Sequence, residues 1–132
     1  MTPFEVKCVG VVDESGGYSF SVGIAENSDG GGRSVIFGIL TDALPDEGDD
    51  YIYSVTDEGH RTSTGGVVEC FLNRDRLLLS FSEIAAQIFE VRESRISFPL
   101  QISDREFTEL ADGLARILDR EPPRKHDLKL TR

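Results

Sequence analysis

The sequence predicts an α+β fold that is mostly β: an antiparallel sheet of about seven strands, with a short helix and a C-terminal amphipathic helix packed on it. Short segments of alternating apolar and polar residues recur over residues 5–102, separated by turns rich in Gly, Asp and Asn. Near the C-terminus, apolar residues instead recur at helical spacing. At 132 residues, the chain is long enough for one domain with a hydrophobic core and too short for two.

The first two strands form a predicted hairpin. Glu5–Val12 contains four valines and ends at the turn sequence DESGG, residues 13–17. In the partner strand, Tyr18–Ala25, large apolar residues alternate with small or polar ones. This period of two places one face on a core and leaves the other face small and polar.

A glycine-rich segment, Glu26–Arg33, separates this hairpin from the next strand. A phosphate-binding loop would also contain consecutive glycines, but it requires a Lys and a Ser or Thr at fixed offsets before a helix. Those residues are absent, and the following segment, Ser34–Leu40, is apolar on both faces. We therefore interpret the glycines as a hairpin loop that leads into a central strand.

The segment 41–50 contains five acidic residues together with Pro45 and Gly48, which indicates a solvated connection. Its carboxylates lack the alternating oxygen ligands and the distal Glu of a calcium-binding loop. We therefore expect a charged loop or a partner-facing patch, and no metal.

Two tyrosines follow on one face of the next predicted strand, 51–56. Such a pair either packs on the core or forms a contact patch, because Tyr is enriched at recognition surfaces. A polar loop, 57–64, comes next and contains one of the two histidines. These three segments supply the candidate partner-binding residues, which are Asp46, Glu47, Asp49, Asp50, Tyr51, Tyr53, Asp57, Glu58 and His60.

The sequence predicts a second hairpin from two strands, Val67–Leu72 and Arg76–Phe81, joined by a short polar turn. Alternation places Cys70 and Val68 on one face of the first strand. It places Glu69 among apolar neighbours on the other face, which is an unusual position for a charged residue.

Several features of residues 51–81 occur together: an aromatic strand, a loop that ends in Gly65, Gly66 and Val67, the acid Glu69 in an apolar strand, and then Leu77, Leu79 and Phe81. This combination resembles the tenth family of immunity proteins of bacterial polymorphic toxin systems. The resemblance continues into the short helix and the closing strand and helix. It implies a mostly β fold and a protein that neutralises a cognate toxin by binding it, and it transfers no catalytic residue. The signature positions Gly65, Gly66 and Glu69 are expected to act first as determinants of the fold.

The final third of the chain predicts a short helix, a strand and a longer helix. Ser82–Ile88 has apolar residues at helical spacing, and Ile96–Ile102 alternates around Pro99, which places that strand at a sheet edge or bulge. Ser103 and Glu106 form a capping box. The apolar stripe of the helix that follows consists of Phe107, Leu110, Ala111, Leu114, Ile117 and Leu118.

Two prolines, Pro122 and Pro123, stop the last helix, and the residues after them are polar and basic. We therefore expect one domain over residues 1–120 and a flexible basic tail over residues 121–132.

The net charge of −10 argues against binding to nucleic acid or to an anionic membrane, because such proteins present clustered Lys and Arg. An acidic surface suits a basic protein partner, or serves solubility alone. No signal peptide and no apolar run of membrane-spanning length is present, so we expect a cytoplasmic protein. The two cysteines, Cys8 and Cys70, lie in predicted strands and are expected to be buried thiols.

An enzyme would have to draw on few candidate groups. A dyad of Cys70 and His60 would need an exposed thiolate, whereas Cys70 lies in a strand expected to be buried. No nucleophile elbow, metalloprotease motif or dinucleotide-binding motif is present. We therefore expect a protein that is not an enzyme and has no cofactor.

Two function classes remain. The first is an immunity protein whose acidic loops and aromatic strand cover a toxin domain, such as a basic nuclease, with electrostatic steering of the encounter. The second is a small-ligand-binding β domain or an enzyme of another type. Exposed sheet edges leave homodimerisation open.

Overall fold

The computed structural model describes residues 1–14, 19–40, 53–118 and 127–130. Within these ranges the α+β class, mostly β, is confirmed. The strands are β1 Cys8–Glu14, β2 Ser19–Ala25, β3 Ser34–Leu40, β4 Tyr53–Asp57, β5 Thr62–Thr64, β6 Val67–Leu72, β7 Arg76–Phe81, β8 Arg95–Pro99 and β9 Asp127–Leu130. The helices are α1 Glu83–Phe89 and α2 Asp104–Leu118, with a short 3-10 helix at Arg92–Ser94.

The strands divide into two sheets, where the sequence predicted one. The first sheet has the order β1-β2-β3-β4-β5 and is antiparallel throughout. The second has the order β8-β7-β6-β9. In both, alternation places one set of side chains on the core, as in the inner row Val22, Phe37 and Val55 of the first sheet, each with no exposed surface.

Two strands lie in segments that the sequence analysis assigned otherwise. Thr62–Thr64, within the predicted polar loop, pairs with β4 as β5. Asp127–Leu130, within the predicted flexible tail, runs parallel to β6. Neither is signalled locally, because strands of three and four residues depend on the partner strand that supplies their hydrogen bonds. The other residues of the predicted tail lie outside the described ranges.

The strand β6 contains a bulge between Val67 and Glu69. Because the bulge adds one residue, Val67 joins Cys70 on the buried face, and Val68 is 43% exposed. The predicted faces of this strand are therefore wrong at Val67 and Val68 and right from Glu69 onward. Pro99 lies on β8, an edge strand of the second sheet, as predicted.

Helix α2 packs its apolar stripe on the first sheet, and all six predicted stripe residues are buried. The approach is close at Gly113, where a Cβ atom would lie 2.9 Å from the Cβ of Val22. The predicted capping box is confirmed: the amide of Glu106 donates to Ser103 Oγ at 3.1 Å, and the amide of Ser103 donates to Glu106 Oε1 at 3.2 Å. The other oxygen, Glu106 Oε2, accepts a hydrogen bond from the amide of Val9 at 3.1 Å and so joins the helix start to β1.

Helix α1 begins at the N-cap Ser82, whose hydroxyl accepts a hydrogen bond from the amide of Ala85 at 3.2 Å. It lies beside β5 and β7. One continuous cluster of buried apolar residues includes both sheets and both helices. The two sheets therefore share one core.

Candidate functional site

The chain passes from the first sheet to the second through Gly65 and Gly66. Both have positive φ, +70° and +97°, which side-chain-bearing residues rarely adopt. The amide of Gly65 donates to the carbonyl of Tyr53 at 2.7 Å, and the amide of Ser82 donates to the carbonyl of Gly66 at 2.8 Å. A Cβ atom on Gly66 would lie 2.6 Å from the Cβ of Ala85 and 2.9 Å from Ser63 Oγ. The signature glycines thus serve the backbone at the crossing between the sheets.

Tyr53 fastens the same crossing from the side of β4. Its hydroxyl accepts a hydrogen bond from the amide of Val67 at 2.9 Å, at the first residue of β6. The side chain is half-buried and packs against the core cluster, and burial raises the pKa of Tyr53 above its ordinary value. These contacts match the packing interpretation of this tyrosine.

Asp57 organises the turn between β4 and β5. Its Oδ1 accepts hydrogen bonds from the amides of Gly59 and Arg61, both at 3.0 Å, and its Oδ2 accepts one from Arg61 Nε at 2.8 Å. The residue is 3% exposed. Although it was predicted to contact a partner, its carboxylate is enclosed and occupied by the turn.

Arg61 extends this network to the end of α1. Its Nη1 lies 2.5 Å from a carboxylate oxygen of Glu90. The hydrogen bond to Asp57, followed by the attraction of both carboxylates, raises the pKa of Arg61. The guanidinium therefore links the β4–β5 turn to the end of the helix that packs beside Gly66.

The other predicted partner-binding residues divide into two groups. Glu58 and His60 lie on the exposed part of the same turn, where Glu58 Oε1 accepts a hydrogen bond from the amide of Ser34 at 3.2 Å and His60 has a φ of +63°. The remainder lie outside the described residues, and they are Asp46, Glu47, Asp49, Asp50 and Tyr51. The interface that these residues form stays a prediction.

Glu69, the third signature position, lies on the solvent side of the second sheet. It is opposite Ser80 on β7, and its carboxylate lies 3.5 Å from Arg95 Nη2. Its side chain is 32% exposed, so this ion pair is screened by water and adds little to stability.

Cys70 lies in the core with no exposed surface, and burial raises the pKa of its thiol to about 12. A thiol in that environment stays protonated at neutral pH and is a poor nucleophile. Burial of Cys70 is thus as predicted, whereas Cys8 is half-exposed. Across the described parts of the chain, no group of three or more His, Cys, Asp or Glu side chains is arranged to hold a metal ion.

A sequence model of the Immunity protein 10 family matches residues 5–108. The chain belongs to the Immunity protein 10 family. The match includes the three signature positions and both sheets from β1 to β8, so it extends further toward the N-terminus than the motif residues between Tyr51 and Phe81. No curated protein and no solved structure was found to match the chain.

Membership in the Immunity protein 10 family confirms the resemblance that the motif indicated, and it supports a non-catalytic role. As far as the chain is described, none of its helices is long and apolar enough to cross a membrane.

The sequence analysis did not identify Ser63 as part of this site. Ser63 is buried, and its hydroxyl donates a hydrogen bond to the carbonyl of Gly65 at 3.0 Å. A serine two residues before Gly65 is compatible with such a hydrogen bond, but the burial of Ser63 cannot be read from a polar segment.

The two signature glycines predict unequal effects of the same substitution. Gly65→Ala should cost about 1–2 kcal/mol, because it adds only the left-handed strain of an L-residue; its Cβ meets nothing within 4 Å. Gly66→Ala should cost about 1–3 kcal/mol more, because its Cβ also overlaps Ala85 and Ser63. Urea unfolding of both variants measures the difference, and adding Ala85→Gly should recover part of the Gly66→Ala loss. Equal losses would show that the close approach at Gly66 is unimportant.

The raised pKa of the buried Cys70 thiol should make the protein less stable at alkaline pH. The folded protein keeps the thiol proton up to a pKa of about 12, whereas an ordinary thiol loses it near 9.0, so the unfolded state is favoured as the pH rises above about 9. Between pH 8 and pH 10.5, the free energy of unfolding should therefore fall by about 2 kcal/mol more in the wild type than in Cys70→Ala. Urea titrations of both proteins at the two pH values measure this difference. The ionisation of Tyr53 and of Cys8 does not contribute to the difference, because both proteins contain these residues. Parallel pH dependences would contradict it.

Proposed function

We propose that this protein neutralises a cognate toxin domain by binding it, and that it does so without catalysis. The observation that carries the proposal is the match of the Immunity protein 10 family over residues 5–108, which include the signature positions at the crossing between the sheets.

Two carboxylates of the described residues have structural roles, which supports a binding function over a catalytic one. The carboxylate of Asp57 holds a turn, and that of Glu106 caps α2 and joins it to β1. Burial alone would raise the pKa of Glu106, but the hydrogen bonds from Ser103 and Val9 outweigh it and hold the pKa below its ordinary value. Groups that are committed to structure in this way are not available for acid or base catalysis.

The negative charge of the chain supports the proposal that its partner is basic. The net charge of −10 produces a negative field that attracts cationic surfaces and speeds association. The acidic segment 41–52 leaves the first sheet after Leu40 and returns at Tyr53, which pairs with Ile39. The residues that flank the segment, Leu40 and Tyr53, thus lie at the same end of the sheet. We propose that the carboxylates of the segment contact basic residues of the toxin domain, which would be expected on the surface of a basic nuclease.

Coexpression with the cognate toxin domain tests the proposal. Cells that produce the toxin domain alone should die, cells that also produce this protein should grow, and the two proteins should purify together as a stable complex. Death of the coexpressing cells, together with the absence of a complex, would refute it.

The acidic segment makes a kinetic prediction. Replacing Asp46, Glu47, Asp49 and Asp50 by the corresponding amides should slow association with the toxin domain by about tenfold at low salt, because steering depends on the local charge. It should also flatten the dependence of the association rate on salt concentration. Stopped-flow or surface-based kinetics at several salt concentrations measure both effects.

A matched control separates local from overall charge. The same change in net charge can be made at exposed acids elsewhere, with the substitutions Asp75→Asn, Glu83→Gln, Glu93→Gln and Asp104→Asn. These should slow association less than the substitutions in segment 41–52. Equal slowing by the two sets would leave the overall charge as the cause and place the interface elsewhere.

A further inference from the structure

Two neighbouring rows of residues on the outward face of the first sheet are uncharged. Both rows cross all five strands, one from Gly10 to Thr62 and the other from Val12 to Thr64. Neither row contains a charged residue, although 29% of the chain is Asp, Glu, Lys or Arg. The members are Gly10, Gly23, Ile36, Thr56 and Thr62 in the first row, and Val12, Ser21, Gly38, Ser54 and Thr64 in the second.

An apolar groove lies in this face. Gly10 and Gly23, which are paired across β1 and β2, line its floor. Val12 and Ile36 border it and are 52% and 46% exposed. The groove encloses about 220 Å³, which is below the roughly 300–1,000 Å³ of small-molecule sites and closer to the space that one side chain needs.

The fold does not require the floor of this groove to be open. A Cβ atom on Gly10 would meet nothing within 4 Å, and one on Gly23 would make only an ordinary contact, 3.4 Å from Ile36 Cγ1. Neither glycine has a positive φ. Alanine would therefore fit at both positions and would be the more stable residue in a strand. Glycine inside a strand often marks the close approach of another molecule, and here it keeps the groove open.

The groove could receive a side chain from a second copy of this protein or from the toxin domain, and the net charge of the chain favours the toxin domain. A second copy would bring another net charge of −10 to the same contact, and that repulsion opposes association. A basic toxin domain is attracted by the same field. Interfaces between proteins commonly have an uncharged centre and a polar rim. The acidic segment 41–52 is joined to this same sheet at the end of β3 and the start of β4, whereas Gly30 and Ser34 of the groove lie toward the other end.

We propose that this groove receives an apolar side chain from an uncharged segment of the toxin domain, and that the face around it is the dry centre of the interface. The inference rests on the proposed function and names the surface that it uses. An apolar side chain seated in a pocket and sealed from water by its surroundings is the usual form of an interface hot spot.

Cys8 is a natural probe of this groove, because it lines the groove and is half-exposed. Cys70, the only other cysteine of the chain, is buried and serves as the internal control. Maleimide should modify Cys8 in the free protein. With the toxin domain at about a hundredfold above its dissociation constant, labelling should slow by about a hundredfold, because only the free fraction reacts. Undiminished labelling of Cys8 in a complex that has formed would overturn the proposal.

A substitution in the groove tests the same surface through its effect on the affinity for the toxin domain. Ile36→Lys should weaken binding of the toxin domain by at least about 30-fold, because it places a charge at the edge of the groove. Val68→Lys is the matched control, since Val68 is a strand residue of nearly the same exposure, 43%, on the second sheet. It should bind as the wild type does. Equal affinity of the two variants would overturn the proposal, and thermal unfolding of both shows that they are folded.

The outcomes separate this inference from the function on which it rests. Failure of the wild type to bind the toxin domain would refute the proposed function, and this inference with it. Binding by the wild type that neither protects Cys8 nor depends on Ile36 would refute the inference alone. Sedimentation of the wild type provides a further check: self-association that Ile36→Lys abolishes would make the face an interface between two copies and overturn the assignment to the toxin.

Discussion

The structure depends on the close passage of the chain at Gly66, where the backbone leaves one sheet and enters the other. Positive φ values at Gly65 and Gly66 redirect the strand, and Ala85 and Ser63 leave no room for a side chain at the second glycine. Tyr53 holds the same point by accepting a hydrogen bond from the amide of Val67. The two sheets share one core because the chain can cross between them within two residues.

Buried and half-buried polar groups reinforce that crossing. Asp57 folds the β4–β5 turn, and Arg61 carries the network to Glu90 at the end of α1, the helix that lies against Gly66. A buried carboxylate needs hydrogen-bond donors in place of water, and the amides of the turn and the guanidinium of Arg61 supply them for Asp57. The polar segment 57–64 is therefore part of the scaffold, with Asp57 and Ser63 buried within it, while the tip that contains Glu58 and His60 is exposed.

The surface of the first sheet is divided by chemistry. Its inner face packs on α2, and two rows of its outer face, from Gly10 to Thr62 and from Val12 to Thr64, consist of small, hydroxylated and aliphatic residues without charge. The acidic segment 41–52 is joined to one end of the same sheet. In the proposed complex, the overall negative charge would attract a basic partner over a long range, and the uncharged rows would supply the contact area, so that the two properties serve encounter and affinity respectively.

The sequence alone determined the elements whose signals are local. The alternation in β2, the capping box of Ser103 and Glu106, the stripe of α2 and the glycine motif are all readable because each depends on spacing along the chain. The tertiary structure decided the rest. The division into two sheets, the bulge that exposes Val68, the burial of Asp57 and the pairing of β9 with β6 all depend on residues distant in sequence. Hydrogen bonds between strands and the packing of one sheet on a helix are set by partners that no local pattern identifies.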